Sequence, residues 1–233
     1  MKKAAFTAAF SHIISFFFLH FTHRYSIINI RLRVFPLHRI SADPKLTSFF
    51  GYEENEEVIM LCLKAANIED IEKEYLFVRN VPKDENGFIN EYHGISREDF
   101  DGALDTIIKN SKGLQLPEGY VPATTYFLWK NDKIIGQFNV RHYLCESLEK
   151  GAGHIGYYIS PEYRGMGYGT QGLQLALEKA RKIVPEDEIY LRVHKDNPAS
   201  LKVMLHNGGR IHHEDDESYF VRIPNWHFDK KQP

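Results

Sequence analysis

The chain has 233 residues, 43 % of them apolar and 13 % aromatic, which suits one domain with an appendage and excludes a disordered chain. A formal net charge of −2 excludes a global basic field of the kind that would make nucleic acid the main partner. Cys62 and Cys145 lie far apart without metal-like spacing, which excludes a zinc module or disulfide scaffold and fits a reducing, cytoplasmic setting.

The charge is unevenly spread. Up to residue 50 a single acid, Asp43, stands against seven basic residues, so this stretch carries +6 and the remainder −8. Lys2 and Lys3 precede an apolar stretch ending at Leu19, the outline of a signal peptide or anchor. Ser11, His12 and His20 interrupt it, and the clean run falls short of the roughly 20 apolar residues that span a bilayer. A second reading makes residues 1–59 an upstream extension of the reading frame, because Glu56-Glu57-Val58 can be encoded by a purine-rich ribosome-binding sequence ahead of Met60. On either reading the domain is expected over 60–233, with 1–59 outside it and no membrane as partner of 60–233.

Within that domain Val58–Leu63 reads as a strand, and Asn67 as the cap of a helix carrying Ile68, Ile71, Tyr75 and Leu76 at helical spacing. Pro82–Asn90 reads as a loop. Ser96-Arg97-Glu98-Asp99 opens a second helix that ends at Lys112-Gly113. Ala123–Trp129 and Lys133–Arg141 are strands around an Asn131-Asp132 turn, followed by a polar connection, Tyr143–Gly151. Then come a strand at Ile155–Ile159, a helix at Thr170–Ile183, a strand at Ile189–Val193 and a helix at Pro198–His206. A hairpin over Arg210–Ile223, turning at Asp215-Asp216-Glu217, closes the series. The mixed order indicates an α/β or α+β domain.

The chemistry is concentrated in Gly153–Gly172. A strand ends at Pro161, a glycine-rich turn follows, and a helix begins near Gly169. Glycines let backbone N–H groups approach a ligand, and a helix N-terminus adds unpaired donors with positive partial charge. Together they suit a diphosphate, with Arg164 at the lip able to add charge-assisted hydrogen bonds. Gly167-x-Gly169-x-x-Gly172 also fits a dinucleotide fingerprint, hence a nicotinamide-dependent oxidoreductase. That fingerprint opens its domain, whereas only about 60 residues follow here, and Asp196-Asn197-Pro198-Ala199-Ser200 is a capping cluster rather than a ribose-binding acid.

Arg164-Gly165-Met166-Gly167-Tyr168-Gly169 resembles the Arg/Gln-x-x-Gly-x-Gly/Ala motif of the GCN5-related N-acetyltransferases, and the likeness extends to Ile159–Tyr163 and Asn197–Ser200. The resemblance implies a mixed sheet of about six to seven strands, flanked by about four helices, in which Ile155–Ile159 splays from a parallel neighbour, Ile189–Val193. It implies acetyl-coenzyme A as cosubstrate and an amine as acceptor, with the protein a monomer or homodimer. Backbone groups near Tyr158 and Ile159 would pair with the pantetheine arm. N–H groups of Arg164, Gly165, Met166, Gly167, Tyr168, Gly169 and Thr170 would hold the diphosphate, and Asn197 and Ser200 would face the cofactor or simply cap their helix.

The implied reaction is attack of an amine on the acetyl thioester. An alkylammonium has a pKa near 10.4 and must first lose a proton. Relatives often place a tyrosine acid on the final helix, where this chain has Met204. His154 lies where some relatives carry a glutamate base, and Tyr157, Tyr158 and Tyr219 are possible proton donors. Glu146 and Glu149 are candidates for a cationic acceptor, Lys195 and Lys202 for the cofactor's 3′-phosphate. The missing tyrosine also allows a non-catalytic acetyl-coenzyme A sensor on the same fold.

Overall fold

The computed structural model describes residues 27–29 and 59–225. Strand β1 (Ile27–Asn29) pairs antiparallel with β2 (Met60–Ala65), Ile27 opposite Cys62, so residues within the basic segment add an edge strand to the sheet. The signal-peptide or anchor reading and the reading-frame extension otherwise lie outside the described residues. No described helix is long and apolar enough to cross a membrane.

Asn67 accepts a hydrogen bond from the Asp70 N–H at 2.9 Å, closing a turn ahead of helix α1 (Ile71–Val78). Glu74, fully buried on α1, accepts from the Asn67 N–H at 3.1 Å. Pro82–Asn90, expected as a loop, instead holds a hairpin of β3 (Asp84–Glu85) and β4 (Phe88–Ile89). Asn86 and Gly87 at its turn have φ of 53° and 82°, the left-handed pair that a tight two-residue hairpin turn requires. Buried Asn90 donates through Nδ2 to the Val78 and Val81 carbonyls at 2.7 and 2.8 Å, which anchors the hairpin to the end of α1. Ser96 caps α2 (Arg97–Ser111) by accepting from the Asp99 N–H at 3.1 Å.

Strands β5 (Ala123–Lys130) and β6 (Lys133–Arg141) form the expected hairpin. The polar connection contains one helical turn, α3 (Glu146–Glu149), before β7 (Ile155–Ile159). Helix α4 (Tyr168–Ala180) starts and stops earlier than its periodicity suggests. β8 (Glu188–His194), α5 (Pro198–His206), β9 (Arg210–Glu214) and β10 (Ser218–Pro224) complete the chain.

Among the described residues the strands fall into a five-stranded sheet, β1-β2-β5-β6-β7, a three-stranded sheet, β8-β10-β9, and the separate β3-β4 hairpin. Both faces of the larger sheet are buried, which is why β5 reads as a continuous apolar run. Tyr126 and Leu128 pack with Leu173, Ala176 and Leu177 of α4, while Phe127 and Trp129 pack with Tyr75 of α1 and Phe100 and Leu104 of α2. Gly172 lets α4 lie close to the sheet: a Cβ there would come within 2.5 Å of the Phe138 ring. β7 and β8 share no ladder. A bridge between Gly153 and Leu191 joins them at one end, and beyond it they part.

Burial raises the Glu74 carboxyl from 4.5 to about 8. The folded chain therefore holds a proton that the unfolded chain releases above about pH 4.5, so this group's contribution to stability falls as pH rises toward 8 and levels off beyond it. Glu74→Gln should remove that dependence, raising stability relative to the parent at pH 8 by a few kcal/mol at most, with little difference at pH 4.5. Urea unfolding of both proteins at the two pH values measures it, and equal differences at both would contradict a protonated Glu74.

Candidate active site

Ser160 follows the end of β7 and its N–H donates to the Ile135 carbonyl at 3.0 Å, and a 3₁₀ turn comes next at Pro161–Tyr163. The chain then bends through Gly165 and Gly167, at left-handed φ of 74° and 82°, into the N-terminus of α4. A Cβ at Gly165 would meet nothing within 4 Å, and one at Gly167 only the end of the Gln171 side chain, at 3.6 Å. The glycines therefore serve backbone conformation and leave the concave side bare. The Arg164 N–H donates to the Pro161 carbonyl, so the row of donors begins one residue later than the motif suggests. Among the described residues nothing accepts from the N–H groups of Gly165, Met166, Gly167, Tyr168, Gly169 or Thr170. No acid occupies the first turn of this 13-residue helix, so the helix does not neutralise its own positive end.

Arg164 is engaged elsewhere. Its Nε donates to the Ile159 carbonyl at 2.8 Å and its Nη1 to Glu85 of β3 at 2.7 Å. The bend is thereby tied to the β3–β4 hairpin, 79 residues earlier in the chain.

Register decides which backbone groups face the gap between the sheets. The Arg141 N–H donates to the His154 carbonyl, and the Ser160 N–H to Ile135, so the intervening pairs Asn139–Gly156 and Gln137–Tyr158 also exchange hydrogen bonds within the sheet. The main chain of Tyr158 is thus spent on β6. Tyr157 and Ile159 turn their N–H groups toward the gap, and Ile159 is the one of the two expected strand residues that does so. Tyr157 was not anticipated for this position, and only the register could have singled it out.

The Tyr157 Oη lies 2.5 Å from the Ser200 Oγ, linking β7 to α5. Burial pushes the Tyr157 phenol up to about 12, opposed by that hydrogen bond. Asn197 accepts from the Ser200 N–H at 3.1 Å, so its side chain acts as the helix cap. Met204 is buried in the core, where it has no proton to give.

His154 is fully buried at the closed end of the gap. Its N–H donates to the Tyr190 carbonyl at 2.7 Å, and its Nδ1 accepts from the Tyr190 N–H at 2.9 Å, which puts the ring proton on Nε2. Glu186 Oε2 stands 3.3 Å from Nε2 but is too poorly aligned to count as a hydrogen bond. Burial outweighs that carboxylate and lowers the imidazole pKa, so the ring stays neutral. Tyr219 sits on β10 opposite Val193, with Lys195 Nζ 5.3 Å from its ring centroid, and is not brought to His154. Lys195 also pairs with Glu214 at 3.6 Å, Lys202 is exposed, and Glu146 pairs with Lys150 on the exposed turn α3, beside Glu149.

On the face covered by α1, a cleft of about 560 Å³ opens beside Ser160–Glu162, floored by Phe77, Ile134 and Tyr158. Its size suits a small molecule.

The sequence profile described as "Acetyltransferase (GNAT) domain" matches residues 60–210. No curated protein sequence matches the chain. Among solved structures, the chain is similar to Mycobacterium smegmatis RimJ in complex with a CoA disulfide, at 16% identity and TM-score 0.51 over 71% of this chain and 82% of that one. It is similar also to the ribosomal-protein-S5-alanine acetyltransferase of Vibrio fischeri, at 17% identity and TM-score 0.51 over 74% and 96%. RimL, a ribosomal L7/L12 alpha-N-protein acetyltransferase in complex with coenzyme A, matches at 19% identity and TM-score 0.50 over 70% and 90%. At these identities the likeness is one of fold.

If the His154–Tyr190 contacts hold the sheets together, His154→Asn should cost about 1–3 kcal/mol, read as a lower urea midpoint. An unchanged midpoint would show that the ring holds nothing.

Proposed function

The chain belongs to the GNAT acetyltransferase family, and from that premise we propose that it moves an acetyl group from acetyl-coenzyme A to a primary amine. The observation that carries the reading is the row of six N–H groups, Gly165 to Thr170, without a hydrogen-bond partner among the described residues where the bend enters α4. Main-chain donors in that curvature suit a diphosphate, and the bare concave sides of Gly165 and Gly167 leave room for it. Next to them, the N–H groups of Tyr157 and Ile159 present an unpaired strand edge to an extended, amide-bearing arm.

Bound acetyl-coenzyme A supplies an acetyl group already activated as a thioester. The chain's residues orient it and manage protons. A strand N–H at the open edge can stabilise negative charge developing on the carbonyl oxygen. The Tyr157–Ser200 hydroxyl pair is our candidate for the donor that hydrogen-bonds and protonates the departing thiolate, since the two hydroxyls adjoin each other beside the β7 edge. His154, a sequence candidate for the base, is assigned instead to holding the sheets, and Tyr219 to packing against the core. Cys62 and Cys145 are free thiols, in keeping with the cytoplasm as the expected compartment. The acceptors named for two of the neighbours, the L7/L12 alpha-nitrogen for RimL and ribosomal protein S5 alanine for the Vibrio fischeri enzyme, share with the proposed acceptor an amine that must lose a proton before attack.

Met204 at the expected tyrosine position favours a second reading, an acetyl-coenzyme A sensor without turnover. Calorimetric titration with acetyl-coenzyme A, followed by thiol release with spermidine and an alanine-initiated peptide, separates the two. The enzyme should bind and release thiol with at least one amine, whereas binding without release for both supports the sensor. Gly167→Glu should abolish binding while the circular dichroism spectrum persists, because a carboxylate would stand against the diphosphate. Unchanged affinity in that folded variant would refute the assigned site. Ser200→Ala should lower kcat by about 10²-fold or more with KM for acetyl-coenzyme A nearly constant. An unchanged kcat would remove Ser200 from proton transfer.

A further inference from the structure

The β3–β4 hairpin lies across the open end of the gap and touches both lips. On the β7 side the Phe88 ring lies 5.6 Å from that of Tyr158. On the β8 side the backbone at Gly87 is pressed against His194: a Cβ there would come within 3.0 Å of the imidazole. Glu85, one residue before the turn, has an unusual state. Its Oε1 holds Arg164 at 2.7 Å, while its Oε2 is shielded from solvent and has no partner among the described residues. The Arg164 hydrogen bond lowers the Glu85 pKa, so the group is ionised at neutral pH while its Oε2 has no donor among the described residues. Shielding a charged acceptor without a donor is costly, and an ammonium arriving from outside would supply that donor. The side chain as a whole keeps 26% of its surface exposed, and the last torsion of a glutamate is soft, so a donor can reach this oxygen without a change of backbone.

Resting on the transferase reading above, we infer that Glu85 recognises the acceptor: its free carboxylate oxygen binds the ammonium of a cationic primary amine at the mouth of the gap between β7 and β8. A neutral hydroxyl compound of the same shape gains much less there, because the charge-assisted bond is lost. The same carboxylate is bonded to Arg164 of the bend, so the amine site and the diphosphate site share one ion pair.

The test uses the full chain loaded with coenzyme A and two probes, n-butylammonium chloride and 1-butanol, titrated by saturation-transfer NMR against the parent, Glu85→Gln and Glu85→Asp. The parent should bind n-butylammonium in clear preference to 1-butanol. Glu85→Gln should weaken the ammonium by about tenfold or more, and Glu85→Asp by less. 1-Butanol should be indifferent to either change, and coenzyme A affinity should stay within about twofold, which also shows that each variant is folded. Equal ammonium affinity in parent and Glu85→Gln overturns the inference, as does a parent that binds coenzyme A but shows no preference for the ammonium. Loss of coenzyme A binding in Glu85→Gln also overturns it, since Glu85 would then act on the bend through Arg164. A parent that fails to bind coenzyme A rejects the transferase reading instead, a different result from any of these.

Discussion

Strands β7 and β8 are held together at one end and nowhere along their length. Had they paired fully, a ladder would have consumed the N–H groups of Tyr157 and Ile159 and closed the central feature of the molecule. His154 anchors the end where they meet. Its main chain and ring both bond to Tyr190, satisfying polar groups where the sheets touch, so the strands above need not meet. A neutral, buried imidazole suits the task because it accepts at one nitrogen and adds no charge to the interior.

The bend after β7 exploits the opening. Its glycines do different work: Gly165 and Gly167 take backbone angles that side chains disfavour, whereas Gly172 removes bulk so that α4 can lie against Phe138. Left-handed geometry turns successive N–H groups inward, and the helix that follows adds its own unpaired donors. The result is positive potential made from backbone, in a chain whose net charge is slightly negative.

Arg164 links this bend to the rest of the open end. By bonding to both the Ile159 carbonyl and Glu85, it makes the hairpin, the strand edge and the bend mechanically continuous. A planar guanidinium fork can serve these two acceptors at once.

Local chemistry was legible in the residues alone. The limits of β7 and α5, the β5–β6 hairpin, the Ser96 cap and the glycine bend agree with the reading of the chain, because propensity, capping and turn geometry act over a few residues. The Asn86-Gly87 turn was visible as well, but strands of two residues are too short to show a period, so the segment read as loop. Tertiary structure alone decided which backbone groups of β7 face the gap, since that parity follows from its register with β6. It alone buried His154 and joined Arg164 to Glu85, a partner 79 residues away. Such contacts depend on how distant elements pack, and no spacing within a single strand or helix encodes them.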